Sequence, residues 1–270
     1  MKRLLSETVC ALLLLSGCAD KVRTGGEATA RAPTRWAALL GEATASGWTD
    51  YDLIARRRSV LDDYLAWTAE HGPISDNWSY SKEDRSIAFL ANAYNAAVIA
   101  GVLAHQPLQS VKDVSVGVYR SPPGTGFFLG QQFKVDGQWV SLYTLEHQYL
   151  LGQFEDPFIH VMLNCASVGC PPPRYWNERK LDHQVETALT AYLDSPQGIR
   201  QGDDGRFAVT ELFSWFGDQL VDWSAATSTC EFLAPYAPAE ARAWLESEHE
   251  RGCAPETFAY DWSLNDRAGD

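Results

Sequence analysis

The chain has 270 residues and a formal net charge of −13, because 22 lysine and arginine residues face 35 aspartate and glutamate residues. An acidic surface repels nucleic acid and anionic lipid head groups, so we expect neither as a partner. With 46% hydrophobic and 12% aromatic residues, the chain can bury a sizeable core.

The N-terminus predicts a secretory signal peptide over residues 1–17. A basic start at residues 1–3 precedes an apolar stretch at residues 9–15, which Ser16-Gly17-Cys18 follows. This order is typical of a secretory signal, and its end resembles the bacterial lipobox, in which the cysteine is acylated and the preceding peptide is removed. The apolar stretch is too short to span a bilayer, which takes about 20 residues. We therefore expect an exported lipoprotein that a lipid on Cys18 anchors to the membrane.

Ala19 stands where an aspartate would favour retention in the inner membrane, so we expect the outer membrane, facing the periplasm, in a Gram-negative host. Residues 18–35 are small, polar and rich in glycine and alanine, which predicts a flexible tether. We expect residues 36–270 to form one globular domain. The alternative is a secreted protein in which Cys18 carries no lipid.

Two helices are predicted in the first part of this domain. Residues 52–70 carry apolar side chains on one face. Residues 83–104 are apolar on nearly every side, which is typical of a buried helix. Asn92 and Asn95 are the polar exceptions in the second helix, and their spacing places them on one face. Because a buried amide needs hydrogen-bond partners, these two residues either lock the fold or line a site.

The rest of the chain alternates short strands and helices. Residues 133–140 predict a hairpin around Asp136-Gly137, a pair that suits a two-residue turn. Ser141 can cap a helix through about residue 152, and residues 158–164 are rich in strand formers. The later predicted elements are helices at 178–194, 211–223 and 238–249 and a strand at 206–210. Together they predict an α+β fold, a mostly helical single domain around a small, largely antiparallel sheet.

Cysteines bear on both stability and chemistry. Once the signal peptide is removed and Cys18 is acylated, four remain, namely Cys165, Cys170, Cys230 and Cys253. An even number in an exported protein permits two disulfides in three pairings. We favour a Cys230–Cys253 bridge, which would tie down a C-terminal helical excursion.

Several segments, in this order, resemble the family catalogued as domain of unknown function 547 (DUF547). The resemblance extends from about residue 50 to the C-terminus and is carried by IAFLANAYNAAVI (87–99), SLYTLEHQYL (141–150), DPFIHVMLNCASVGCPP (156–172), LFSWFGDQL (212–220) and YDWSLN (260–265). It implies a bacterial-type exported member whose activity is not established. The residues that match the family's signature are Asn92, Tyr94, Asn95, Glu146, His147, His160, Cys165, Ser167, Cys170 and Pro171.

Cys165 is the candidate nucleophile. Plant relatives in this family have serine where this chain has Cys170 and keep a cysteine that matches Cys165, so the resemblance favours Cys165. Cys165 also lies where a predicted strand gives way to a loop, a common place for a catalytic side chain. The alternative is that Cys165 packs as a small apolar residue or forms a disulfide with Cys170.

A nucleophilic cysteine needs a base and a group that orients the base. His160 and His147 are the candidate bases, and Glu146, Asp261 or the two helix asparagines could orient the base. We favour His160. If the predicted strand runs unbroken to Cys165, however, that histidine and the cysteine lie about 16 Å apart on opposite faces, and His147 becomes the base instead.

Together these residues predict a thiol-dependent hydrolase or acyltransferase with a papain- or transglutaminase-like arrangement, acting on an amide or peptide bond in the cell envelope. Cys165 would attack, His160 would move the proton, and Glu146 or Asn95 would orient or polarise. His147, Asn92 and Ser167 would line the site. No cofactor is expected, and the spacing of the two cysteines is not that of a standard zinc site. The alternative is a non-catalytic module that binds a protein or a cell-wall component.

Overall fold

The computed structural model describes residues 19–75 and 83–267 of the chain. The predicted signal peptide at residues 1–17 and the predicted lipidation site at Cys18 lie outside the described residues. About 48% of the chain is helical and 10% is strand, in one domain. The predicted α+β class, mostly helical, is therefore confirmed.

The helices are numbered here in chain order. They are α1 (Ala32–Ala43), α2 (Tyr51–Arg56), α3 (Arg58–Glu70), α4 (Glu83–Ala104), α5 (Thr125–Phe128), α6 (Leu142–Thr144), α7 (Ile159–Met162), α8 (Leu181–Leu193), α9 (Leu212–Trp215), α10 (Gly217–Asp222), α11 (Thr229–Leu233) and α12 (Ala239–Glu250). A π-helical turn continues α6 over Leu145–Leu150, and 3₁₀ turns lie at Val111–Asp113 and Ala234–Tyr236.

Helix α4 forms the centre of the domain, as its composition predicts. Every residue from Ser86 to Val102 is buried, and the helix contacts α2, α3, α6 and α7. Glu83 and Asp84 lie in its first turn, where negative charge stabilises the helix dipole. By length and composition α4 could cross a bilayer, but most of it is buried inside the domain, which identifies it as a core helix.

The strands form two small mixed sheets rather than one largely antiparallel sheet. They are β1 (Asp20–Lys21), β2 (Gln131–Val135), β3 (Gln138–Val140), β4 (Ile199–Gln201), β5 (Phe207–Thr210) and β6 (Thr257–Phe258). In each sheet one pair is antiparallel, β2 with β3 and β4 with β5, and the third strand is added in parallel. The predicted hairpin turn is present, because Asp136 and Gly137 both have positive φ, at 46° and 78°.

The packed part of the chain begins before residue 36. Asp20 and Lys21 pair with β2, and the backbone N–H of Glu27 donates to the Asp63 carboxylate at 3.0 Å. Helix α1 begins at Ala32, which is fully buried. Part of the segment predicted as a tether thus contacts the domain.

The predicted strand at residues 158–164 is wrong, because α7 occupies its centre. Asp156 Oδ1 accepts the backbone N–H of Phe158 at 2.8 Å, and the Asp156 carbonyl accepts that of Ile159. This hydrogen-bonded turn outweighs the strand preference of the β-branched residues that follow it. A straight strand therefore does not separate the predicted base from the predicted nucleophile.

Two predicted helices are interrupted, and a third changes its winding. The predicted helix at 52–70 divides at Arg57, and the predicted helix at 211–223 divides at Phe216. Ser141 caps α6 as predicted, since its Oγ accepts the Thr144 N–H at 3.1 Å. The turn that follows is π-helical, which changes the directions of the side chains it carries.

The predicted bridge between Cys230 and Cys253 is present. It joins α11 to the segment that follows α12, across 23 residues of sequence. Cys230 is fully buried, so the bridge fixes the C-terminal helices to the core.

Replacing both bridge cysteines by serine should lower the free energy of unfolding by about 3 kcal/mol, because the unfolded chain gains the freedom of the opened loop. Guanidinium denaturation of the double variant and of the unaltered protein, without reductant, measures the difference. Equal midpoints and slopes for the two proteins would show that the bridge adds no stability.

Candidate functional site

A buried side chain of α4 holds the start of the cysteine loop. Asn95 Nδ2 donates to the carbonyl of Met162 at 2.9 Å, and its Oδ1 accepts the backbone N–H of Asn164 at 2.9 Å. Both ends of the amide are satisfied by backbone at the end of α7. Asn95 therefore fixes the place where the helix stops and the loop begins.

Asn164 closes the loop on itself. Its Oδ1 accepts the backbone N–H of Ala166 at 2.9 Å and the side-chain amide of Asn265 at 3.3 Å, and its Nδ2 donates to the Pro171 carbonyl at 2.8 Å. Ala166 is held at a φ of 62°, a left-handed conformation that costs a non-glycine residue about 1–2 kcal/mol. This closure brings the two loop cysteines together.

The C-terminal segment packs on the same loop. The N–H of Val168 donates to the carbonyl of Ser263 at 2.8 Å, and the N–H of Gly169 donates to that of Asp261 at 2.9 Å. A Cβ at Gly169 would lie 2.7 Å from the ring of Tyr260. Glycine at this position therefore allows the Tyr260 ring to lie directly against the loop.

The loop presents two adjacent thiols. Cys165 is partly exposed and Cys170 is buried, and both are free cysteines. Their sulfur atoms lie 2.6 Å apart, and the backbone N–H of Cys165 donates to Cys170 Sγ at 3.0 Å. The two side chains therefore act as one titrating unit.

Two hydroxyl groups complete the environment of the thiols. Tyr260 Oη lies 2.8 Å from Cys170 Sγ and 3.1 Å from Cys165 Sγ. Ser167 Oγ lies 2.9 Å from Cys165 Sγ and 2.7 Å from Tyr260 Oη. These groups place hydroxyl donors next to both sulfur atoms.

The surroundings favour one thiolate in this pair. Burial raises the pKa of both thiols, because the charged form loses its hydration. At Cys170 the hydrogen bonds from Cys165, Tyr260 and Ser167 outweigh burial and lower the pKa to about 7. At Cys165, burial and the adjacent Cys170 raise the pKa well above its usual range. Near neutral pH the pair therefore holds one proton between two sulfurs.

The thiols line a cavity of about 440 Å³. Its other walls are mainly aromatic and aliphatic, formed by Phe128, Tyr143, Leu163, Pro171, Leu212, Trp215, Phe216 and Trp262. Trp215, which is 46% exposed, packs against Tyr260 and Trp262 at ring-centroid distances of 5.0 and 6.0 Å. Such a cavity suits an apolar or flat group beside a reactive centre.

Glu146 and His147 both line this cavity. Adjacent residues on a regular α-helix diverge by about 100°. Glu146 and His147 lie in the π-helical turn Leu145–Leu150, whose wider winding brings adjacent side chains closer in direction than an α-helix does. Burial raises the pKa of Glu146 against the opposing effects of His147 and of Tyr94, which donates to its carboxylate at 3.2 Å.

His160 also lines the cavity, in an aromatic setting. Its ring stacks on Phe216 at 3.9 Å and lies parallel to Trp223 at 6.1 Å. Nε2 is buried without a hydrogen-bond partner among the described residues. Burial lowers the pKa of His160 to about 4, so the ring is neutral near pH 7.

The four residues predicted to act in catalysis, namely Cys165, His160, His147 and Glu146, come together at one cavity. Within the described residues, however, neither histidine forms a hydrogen bond with Cys165 Sγ. The same residues contain no group of three His, Cys, Asp or Glu side chains that could hold a metal ion.

The two helix asparagines do not line the cavity. Asn95 holds the cysteine loop, and Asn92 pairs with both the N–H and the carbonyl of Trp176 at 2.8 Å. Asp261 accepts the N–H of Ser263 and forms no hydrogen bond with a histidine among the described residues. The sequence did not assign Tyr260 to the site, although it belongs to the quoted segment YDWSLN.

Residues 78–193 match the family model described as "Protein of unknown function, DUF547". This part of the chain is similar to that family. The match includes α4, the turn with Glu146 and His147, and the loop with both cysteines, whereas Trp215 and Tyr260 lie beyond it. No curated protein and no solved structure matches the chain.

The buried neutral His160 should make the domain sensitive to acid. Its pKa is about 6.5 in an unfolded chain and about 4 in the fold, so its contribution is present above pH 6.5 and lost as the pH falls toward 4. The loss amounts to about 3 kcal/mol.

Denaturation of His160→Phe between pH 7 and about pH 4 should therefore show a flatter loss of stability than the unaltered protein. The exposed His183 provides the control as His183→Gln, which should keep the original dependence. If His160→Phe and the unaltered protein lose stability in parallel, protonation of His160 does not drive the effect.

Proposed function

We propose that this DUF547 domain is a cysteine-dependent hydrolase or acyltransferase acting on amide or peptide bonds, with Cys165 as the nucleophile. The observation that carries the proposal is the thiol pair on the cavity wall. Cys165 is partly exposed there, and its Sγ lies 2.6 Å from that of a second thiol whose pKa is about 7. A base at hydrogen-bond distance is what an activated nucleophile requires.

In this proposal Cys170 is the base, a role that the sequence analysis predicted for His160. The Cys170 thiolate accepts the Cys165 proton while Cys165 Sγ attacks the carbonyl carbon of the substrate. The carbon–nitrogen bond then breaks, and the proton passes from Cys170 to the leaving nitrogen. A thioester on Cys165 and a free amine result.

The second half of the reaction restores the site. Water, or an acceptor amine or hydroxyl, attacks the thioester and gives its proton to the Cys170 thiolate. The sulfur–carbon bond breaks, and Cys165 recovers the proton from Cys170. Hydrolysis releases an acid, and transfer to an acceptor releases a new amide or ester.

The other polar groups around the thiols assist the proposed reaction without forming a bond to the substrate. Tyr260 and Ser167 donate hydrogen bonds that favour the thiolate. His147 is exposed on the cavity wall and can exchange protons with the leaving group. His160 is assigned no proton transfer, because its ring is stacked and its Nε2 is buried.

The cavity walls support a substrate with an apolar or aromatic group next to the scissile bond. A lipid anchor at Cys18 would restrict such a substrate to the cell envelope, where peptide and cell-wall material is available. The proposal thus includes a signal peptide over residues 1–17 that directs export, and anchoring of the mature protein in the outer membrane.

The 2.6 Å distance between the sulfurs favours a second candidate function, dithiol–disulfide exchange. In that reaction the pair gives up two protons and two electrons to a substrate disulfide, which becomes two thiols while Cys165 and Cys170 form a bond. Exchange needs both cysteines, whereas acyl transfer keeps its covalent intermediate on Cys165 alone.

A p-nitrophenyl ester of a medium-length fatty acid, followed by mass spectrometry of the trapped protein, tests the proposal. The reduced protein should acquire one acyl group on Cys165, much faster than the same protein unfolded in guanidinium. Cys165→Ala should give no adduct. Cys170→Ser should still be acylated on Cys165, but at least tenfold more slowly at pH 7, because its base is lost.

Other outcomes assign the site differently. Rapid reduction of oxidised glutathione that is lost in both Cys165→Ser and Cys170→Ser, without an acyl adduct, would replace the proposal by dithiol exchange. If the folded, reduced protein shows neither reaction, the proposal is wrong, and the domain is better described as a non-catalytic binding module.

A further inference from the structure

A second cavity, of about 460 Å³, lies next to the cysteine loop. Its walls come from the turn between α1 and α2, one face of α8, and the chain around Arg174. Cys170 belongs to the lining of this cavity and of the thiol cavity. The second cavity therefore borders the thiol pair without containing Cys165, His147 or His160.

The charge of this cavity is unusual for such an acidic chain. Arg174 lines it, and none of the other described residues in its lining is an aspartate or a glutamate. The Arg174 guanidinium lies 5.7 Å from the centre of the Trp176 ring and forms no hydrogen bond or ion pair with another described residue. A partly buried cation without a partner is costly unless a ligand supplies the counter-charge.

Two further residues with side-chain hydrogen-bond donors line the same cavity. The indole N–H of Trp48 and the side-chain amide of Gln197 have no hydrogen-bond partner among the described residues, and both side chains line the cavity. Trp48 is half-buried, as is Gln197. The cavity thus combines one fixed positive charge with neutral donors.

We propose that this cavity binds the carboxylate of an organic anion, such as a free amino-acid derivative or the C-terminus of a peptide. A planar guanidinium matches a carboxylate by two parallel hydrogen bonds. One positive charge balances one carboxylate, whereas a phosphate dianion would leave excess negative charge in a partly buried space. The volume accommodates a ligand of several non-hydrogen atoms beyond the carboxylate itself.

Isothermal titration calorimetry with N-acetylglycine and with its carboxamide tests this site in the reduced protein. The acid should bind saturably, and the uncharged amide should bind at least tenfold more weakly. Arg174→Gln should weaken binding of the acid at least tenfold, and Arg174→Lys should recover part of it, because lysine keeps the charge and loses the planar fork.

Arg179→Gln is the matched control, since Arg179 is exposed and its loss changes the net charge equally. Equal binding of the acid to Arg174→Gln and to the unaltered protein would overturn the proposal. So would equal binding of acid and amide, or tighter binding of inorganic phosphate than of the acid. The readout is binding rather than turnover, so its outcome does not depend on the proposed acyl transfer.

Discussion

The site depends on buried asparagine side chains that hydrogen-bond to backbone instead of solvent. Asn95 projects from the most buried helix and holds the chain on both sides of Leu163, and Asn164 and Asn265 continue the network through the cysteine loop. An unpaired amide at such depth costs on the order of 1–3 kcal/mol, so each of these bonds constrains the loop strongly. The left-handed Ala166 is tolerated because the surrounding hydrogen bonds determine the conformation.

The constraint on the loop also determines which hydrogen-bond donors surround the two thiols, and therefore their pKa values. The loop alone would place two cysteines in an apolar setting, where burial suppresses ionisation. The closed loop instead aims the Cys165 N–H at Cys170 Sγ and places the pair against the hydroxyl of Tyr260. Donors that cannot rearrange stabilise a thiolate better than water does in the same space. In the proposed reaction, the neighbouring thiol and hydroxyl groups activate Cys165, which forms no hydrogen bond with a histidine among the described residues.

The sequence predicted the parts that follow from periodicity and composition. The central helix, the hairpin and the Ser141 cap are present because local pattern decides them, whereas the Cys230–Cys253 bridge was one of three pairings that the cysteine count permits. The helix at 159–162 could not be predicted in this way, since its β-branched residues favour a strand and the hydrogen-bonded turn at Asp156 overrides that preference. The thiol-lined cavity combines residues that are distant in sequence. Four of them, Cys165, His160, His147 and Glu146, were predicted because their side chains can act as nucleophile, base or orienting group. Tyr260 and the base-like Cys170 depend on tertiary contacts that the spacing of residues does not encode.

The central claim is that the Cys165–Cys170 pair provides a thiolate at neutral pH, and titration of the thiolate absorbance of the reduced protein tests it most directly. The account predicts one thiolate per chain with a midpoint near pH 7, and loss of this step in Cys170→Ser, where Cys165 stays protonated beyond its usual pKa of about 8.5. A protein that forms no thiolate below that pKa, or that keeps the same midpoint in Cys170→Ser, would contradict it.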